Sequence, residues 1–240
     1  MPLVNHAKRE LHVKIVYYGP GLGGKTTNLE FIHRHSSPTR RGKLISLMGE
    51  SERTLFFDLL PVDLGTLMGY TVRLHLCTVP GQIARDATRR LVLRHVDGVV
   101  LVVDSQPGFL DANLASVRNL HANLALQGAD PTRIPLVVQF NKRDLDNALP
   151  VAELVEALNV PADVDRVEAS ALEGWGVFDT LKRITKGCLK LVGDPKRLPE
   201  GRSPSILPAQ RASMYRFGAS EQVEVRLPKA PAVPRFEDEG

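Results

Sequence analysis

This 240-residue sequence predicts a three-layer, doubly wound α/β fold with a mostly parallel sheet of six or more strands, and three observations carry that prediction. Short apolar runs alternate with longer segments of helical periodicity up to residue 193. Several of the runs, such as "VVLVVD" and "PLVVQFN", are continuous instead of alternating, which suits strands covered on both faces. A glycine-rich turn, "GPGLGGKTTN", joins one such run to a helical pattern, at the kind of strand-to-helix junction where doubly wound sheets bind ligands.

Taken in order, strands are expected over residues 13–18, 43–48, 71–78, 98–104, 136–141 and 166–170. Helices are expected over 25–35, 83–94, 110–127, 151–158 and 177–192, because their apolar positions recur three or four apart, as in Leu114, Val117, Leu120 and Leu124. No clear helix separates "KLISLM" from "TVRLHLCT", so one strand of that pair is expected to run antiparallel. After residue 193 the texture changes: residues 194–240 carry seven of the 17 prolines. That density marks an extended, largely flexible tail behind a folded domain over 1–193. Within the tail "EQVEVRL" alternates as a strand would, and adding to a sheet edge is its alternative reading.

Composition narrows the functional classes. Apolar content of 43% and charged content of 24% are ordinary for a globular domain. No apolar run is long enough to span a membrane, and the N-terminus lacks the apolar stretch of a secretion signal. Cys77 and Cys188 sit in apolar runs and read as buried thiols of a reducing cytosol, which makes the expected location cytoplasmic. The net charge of +4 is mild, and aromatics at 5% do not alternate with basic residues, so a nucleic-acid partner is not expected. His33 and His35 lie two apart on a predicted helix and lack metal-ligand spacing.

Gly19-x-x-x-x-Gly24-Lys25-Thr26 fits the phosphate-binding loop of P-loop NTPases, and it has the context that loop needs, a strand before it and a helix after it. Such a loop wraps a phosphate closely enough for backbone N–H groups to make the contact, and glycine leaves no Cβ in the way. The following helix adds the partial positive charge of its N-terminus. Gly19, Gly21, Leu22, Gly23, Gly24, Lys25, Thr26 and Thr27 are therefore the expected phosphate-side residues. Lys25 is suited to the β- and γ-phosphates, and the Thr26 hydroxyl to Mg²⁺.

The base is read at "FNKRD". Asp144 can accept from guanine N1–H and the exocyclic amine, neither of which adenine offers. A site built to pair with a donor rejects the analogue lacking it by roughly 10⁴–10⁵. Asn141 can hold the loops together, and the Lys142 stem can cover the base. Ser170 and Ala171 follow the last strand, where the Ala171 N–H can meet guanine O6. Gly81 and Gln82 follow another strand, positions from which an N–H can contact a γ-phosphate and an amide can place a water.

With these motifs in order, "KIVYYGPGL", "RTLFFDLLP", "TVPGQ", "GVVLVVDSQ", "NKRDL" and "GVFDTLK" closely resemble the bacterial MglA gliding-motility and cell-polarity GTPases, a Ras-like family, over about residues 5–193. The resemblance implies a GTP/GDP switch that requires Mg²⁺ and hydrolyses GTP. It implies that Thr54 reaches Mg²⁺ and the γ-phosphate from switch I, that Arg53 acts as an arginine finger in cis, and that Gln82 orients the water. It also implies a Roadblock-type activating partner of the MglB kind, effectors that recognise one nucleotide state, and recruitment to a cell pole. A monomer is expected.

One departure from Ras-like proteins is itself characteristic of the family: Thr78 stands where switch II usually begins with an aspartate that helps to hold Mg²⁺. Asp58 or Asp104 can supply that help only if the fold brings it near. The missing carboxylate leaves a second reading open, a nucleotide-dependent scaffold that binds GTP with little hydrolysis. A P-loop kinase is disfavoured, because the chain offers no arginine-rich lid or acceptor pocket.

Overall fold

In a computed structural model the described residues are 2–47, 57–81 and 86–193. Arg53, Thr54, Gln82 and the whole 194–240 extension lie outside them.

The central strand is β2 (Glu10–Tyr18), whose apolar residues are buried on both faces. A short β1 (Leu3–Asn5) pairs with it antiparallel. On one side β2 runs parallel to β5 (Tyr70–Thr78), and on the other parallel to β6 (Gly98–Asp104). All seven residues of β6 are buried, as a two-sided strand requires. The parallel series continues through β7 (Leu136–Asn141) to β8 (Asp165–Glu168). Beyond β5 lie β4 (Phe57–Leu67) and the edge strand β3 (Ile45–Leu47), giving the order β3-β4-β5-β2-β6-β7-β8.

Neither strand of the pair expected to contain an antiparallel member is reversed: the antiparallel strand is β4, which lies between them and pairs antiparallel with both β3 and β5. The two segments flanking it in sequence therefore run the same way. Sequence periodicity misses β4 because Pro61 and Gly65 interrupt it and because a bulge at Asp63/Gly65 shifts its register.

Helices cover both faces. Helix α1 (Lys25–His35) and helix α5 (Val177–Val192) bury Leu29, Ile32, Leu181, Ile184 and Cys188 against Val13, Ile15, Tyr17, Val100 and Val137. Helix α2 (Asp86–Leu93) and helix α3 (Leu110–Ala125) cover the other face, burying Val92, Leu93, Leu120 and Leu124. A short α4 (Val151–Ala157) precedes β8. Each fully buried aliphatic side chain contributes about 1.5–3 kcal/mol. Helix α1 has Arg34 in its last turn, a cation suited to the negative end of its dipole. The parallel strands all end at one sheet edge, so the loops after β2, β5, β6, β7 and β8 converge there.

Candidate functional site

The phosphate loop spans the end of β2 and the start of α1. Gly24 is the N-cap of α1 with φ 94°, and a Cβ there would lie 2.2 Å from Asn141 Nδ2. Only glycine supplies both the left-handed backbone and the room. Leu22 also takes a positive φ of 62°, and its side chain is 85% exposed. Lys25 is buried, and its Nζ donates to the loop's own carbonyls at Gly19 (3.2 Å) and Pro20 (2.5 Å). Burial, with the positive Arg89 nearby, lowers the Lys25 ammonium to about 7, and Asp58 opposes the shift. An anion in the loop would relieve that penalty. Thr27 lies in the first turn of α1, one residue beyond Thr26.

Asp58 is the carboxylate that the fold brings to Thr26. Thr26 Oγ1 donates to Asp58 Oδ2 at 2.7 Å, and Thr78 Oγ1 donates to the same oxygen at 2.9 Å. The Asp58 N–H donates to Thr78 Oγ1 at 2.9 Å, and Ser46 Oγ donates to Asp58 Oδ1 at 2.6 Å. A largely buried carboxylate among hydroxyls is a hard-oxygen donor set, the kind a Mg²⁺ ion takes, so these residues fit that ion. Thr78, which interrupts the usual motif, is thus bound to Asp58 through both the carboxylate and the backbone N–H. Asp104 lies on the base side, where it is fully buried and pairs with Lys142 Nζ at 2.6 Å.

On the base side Asn141 spans two loops. Its Nδ2 donates to Gly23 O at 2.8 Å, and its Oδ1 accepts from the Ala171 N–H at 2.8 Å. The N–H that sequence reasoning aims at guanine O6 is thus donated to Asn141, and reading O6 as well takes a shared, three-centre bond. Lys142 adopts φ 64°, and its ammonium lies 5.1 Å from the centroid of the Phe109 ring. Asp144 is exposed at the same strand end. Ser170 is buried, and its Oγ accepts from the Glu173 N–H at 3.1 Å, closing the turn that presents Ala171. Gly81 lies directly against the phosphate loop, its backbone facing Gly21.

The structure therefore gathers the phosphate-side and base-side residues at one edge; Arg53, Thr54 and Gln82 are outside the described residues. Sequence reasoning offered Asp104 as an aid to Mg²⁺, and the structure sets it against Lys142 instead. Arg89, discussed below, was overlooked, since an arginine in an amphipathic helix reads as solvated.

Among the described residues no helix is long and apolar enough to cross a membrane. No family model matches the chain. Over 186 residues, 78% of this chain and 95% of the relative, the sequence is 53% identical to the mutual gliding-motility protein MglA of Myxococcus xanthus (strain DK1622). With that identity spread over nearly the whole relative, and with a parallel sheet whose phosphate loop and Asn-Lys-x-Asp turn meet at one edge, the chain belongs to the MglA family of Ras-like small GTPases.

Proposed function

We propose that this protein is a cytoplasmic switch that alternates between GDP and GTP, hydrolyses GTP, and controls polarity or gliding motility through partners that recognise one nucleotide state. The observation that carries this reading is the pair of Asn141 bonds to Gly23 O and the Ala171 N–H. One side chain couples the loop suited to phosphates with the loop suited to a purine edge, so occupancy of either stiffens both.

In this mechanism the amides of residues 19–24 and the Lys25 ammonium bind the phosphates, and Asp144 pairs with the guanine edge. Bound Mg²⁺ would draw negative charge off the β- and γ-phosphate oxygens. Thr26 and Asp58 would hold that ion, with Thr54 joining them from switch I. Gln82 orients the attacking water, and Arg53 supplies positive charge to offset the negative charge that develops on the leaving oxygen, a contribution of roughly 10³–10⁵ in rate for an arginine finger. A Roadblock-type partner of the MglB kind accelerates hydrolysis by setting these switch residues, and the GTP form is the one recruited to a cell pole.

A competition titration tests the base assignment. GTP and GDP should displace a bound fluorescent guanine nucleotide, and ATP should not. Asp144→Asn should weaken GTP at least about 100-fold and favour xanthosine triphosphate, because the amide donates where the carboxylate accepted. Equal competition by GTP and ATP would sink the reading. Thr78 favours the second reading, a scaffold with little hydrolysis. Single-turnover GTP cleavage with and without the partner separates the two.

A further inference from the structure

Arg89 is fully buried on α2, and among the described residues no carboxylate makes an ion-pair contact with it. Removing a guanidinium from water costs several kcal/mol unless its donors are satisfied. Here two of them are directed at one short segment and the third at α3. Nε donates to Pro80 O at 2.9 Å and Nη2 to Gly81 O at 2.7 Å. Nη1 donates to Asn119 Oδ1 on α3 at 2.9 Å, and the guanidinium lies 5.2 Å from the centroid of the Tyr18 ring. Asn119 is itself fixed: Tyr18 Oη donates to its Oδ1, and its Nδ2 donates to Asp86 Oδ1 at 2.8 Å. Asn123 donates to the same Asp86 oxygen at 2.8 Å.

The Pro80 carbonyl and the Gly81 N–H belong to one planar trans peptide, so they point in opposite directions. A donor that fixes the carbonyl therefore fixes the N–H. Pro80 has no N–H of its own and a restricted φ, which removes a competing way to satisfy the turn. Gly81 also has little room to shift, since a Cβ there would lie 2.3 Å from Gly21 Cα. The fork and the phosphate loop thus both crowd this segment.

We propose that Arg89 is the positioning residue for the γ-phosphate contact: its fork sets the Pro80–Gly81 peptide so that the Gly81 N–H meets the terminal phosphate, and Asn119 ties that setting to α3. The proposal rests on the guanine-nucleotide reading above and adds the residue that makes the site discriminate triphosphate from diphosphate. Lysine cannot replace the fork, because one ammonium does not hold two carbonyls and a side-chain amide in one plane. The α2–α3 face becomes a surface whose register follows the nucleotide state through these bonds.

The test measures Kd for GDP and for a non-hydrolysable GTP analogue in wild type, Arg89→Lys and Arg89→Met, together with single-turnover GTP hydrolysis. We expect GDP affinity within about 3-fold of wild type, and analogue affinity and hydrolysis each reduced about 10- to 100-fold, with Arg89→Lys giving little rescue. Asn119→Ser leaves Arg89 in place and loosens its fork, so it should lower the ratio of analogue to GDP affinity about 3-fold or more. That variant carries the test if the Arg89 variants fail to fold. An unchanged ratio in folded variants, with normal wild-type binding, overturns this proposal alone. Failure of the wild type to bind either guanine nucleotide overturns both this proposal and the function it rests on.

Discussion

His12 and His75 sit side by side on β2 and β5, their rings stacked at 5.2 Å and His12 Nδ1 2.9 Å from His75 Nε2. Such a contact needs one nitrogen to donate and the other to accept, so the pair loses it when both rings are protonated. Burial pushes His75 down to about 4, helped by the positive charges of His12, Lys14 and Arg73. Burial also lowers His12, although the Glu10 carboxylate opposes it. The unfolded chain binds these protons near the ordinary histidine value of 6.5, so between that value and about 4 it holds more protons than the folded one. Stability from this site is therefore present above pH 6.5 and lost as the pH falls toward 4, by on the order of 2–3 kcal/mol. Urea unfolding at pH 7 and pH 5 should show that loss, and His75→Gln should reduce it; an equal loss in both proteins would assign the acid sensitivity elsewhere. Legibility in sequence also divides at this scale. Asn141, Lys25 and Thr26 are readable because fixed backbone geometry around a phosphate demands those types at those spacings. Arg89 and the pairing of Asp58 with Thr26 are not, because they depend on which strand lies beside the loop.

At the scale of elements, what could be read depended on how local the determinant is. Helix α5 was legible from one end to the other. Its buried residues Val177, Leu181, Ile184, Cys188 and Val192 recur at three- and four-residue intervals, and Gly193 with φ 62° lies just past its end. Strand β4 was not, because its existence rests on pairing with β3 and β5 and not on an alternating pattern of its own. The cost of missing it was functional, since β4 is the element that delivers Asp58 to the phosphate loop. The α5 assignment has a mechanical consequence. Ile184 is buried in the cluster that joins α5 to the sheet, whereas Leu191 is 64% exposed on the same helix. Ile184→Ala should cost about 2–4 kcal/mol through lost transfer energy and a residual cavity. Leu191→Ala should stay within about 0.5 kcal/mol. Denaturant midpoints read the difference, and comparable losses from the two substitutions would mean that α5 presents another face to the sheet.

Over the whole molecule, the loops after β2, β7 and β8 are already joined by Asn141 without help from a ligand. A nucleotide bound across them binds the folded chain and not the unfolded one, so it must stabilise by mass action. At a GDP concentration about 100 times Kd the gain is about 2.7 kcal/mol. At about 2–4 °C per kcal/mol for a domain of this size, Tm should rise by about 5–11 °C. The phosphate-side and base-side residues all lie between Gly19 and Ala171, well before the proline-rich segment begins at Asp194. A chain ending at Gly193 should therefore show the same GDP-dependent rise as the full chain. Calorimetric melts of both proteins over a GDP titration, with ADP as the control, check this. If the shorter chain melts lower without ligand and loses the GDP response, residues 194–240 are part of the nucleotide domain and its boundary is wrong. If it keeps the response, the extension lies outside the nucleotide domain, and its role has to be sought apart from GDP binding.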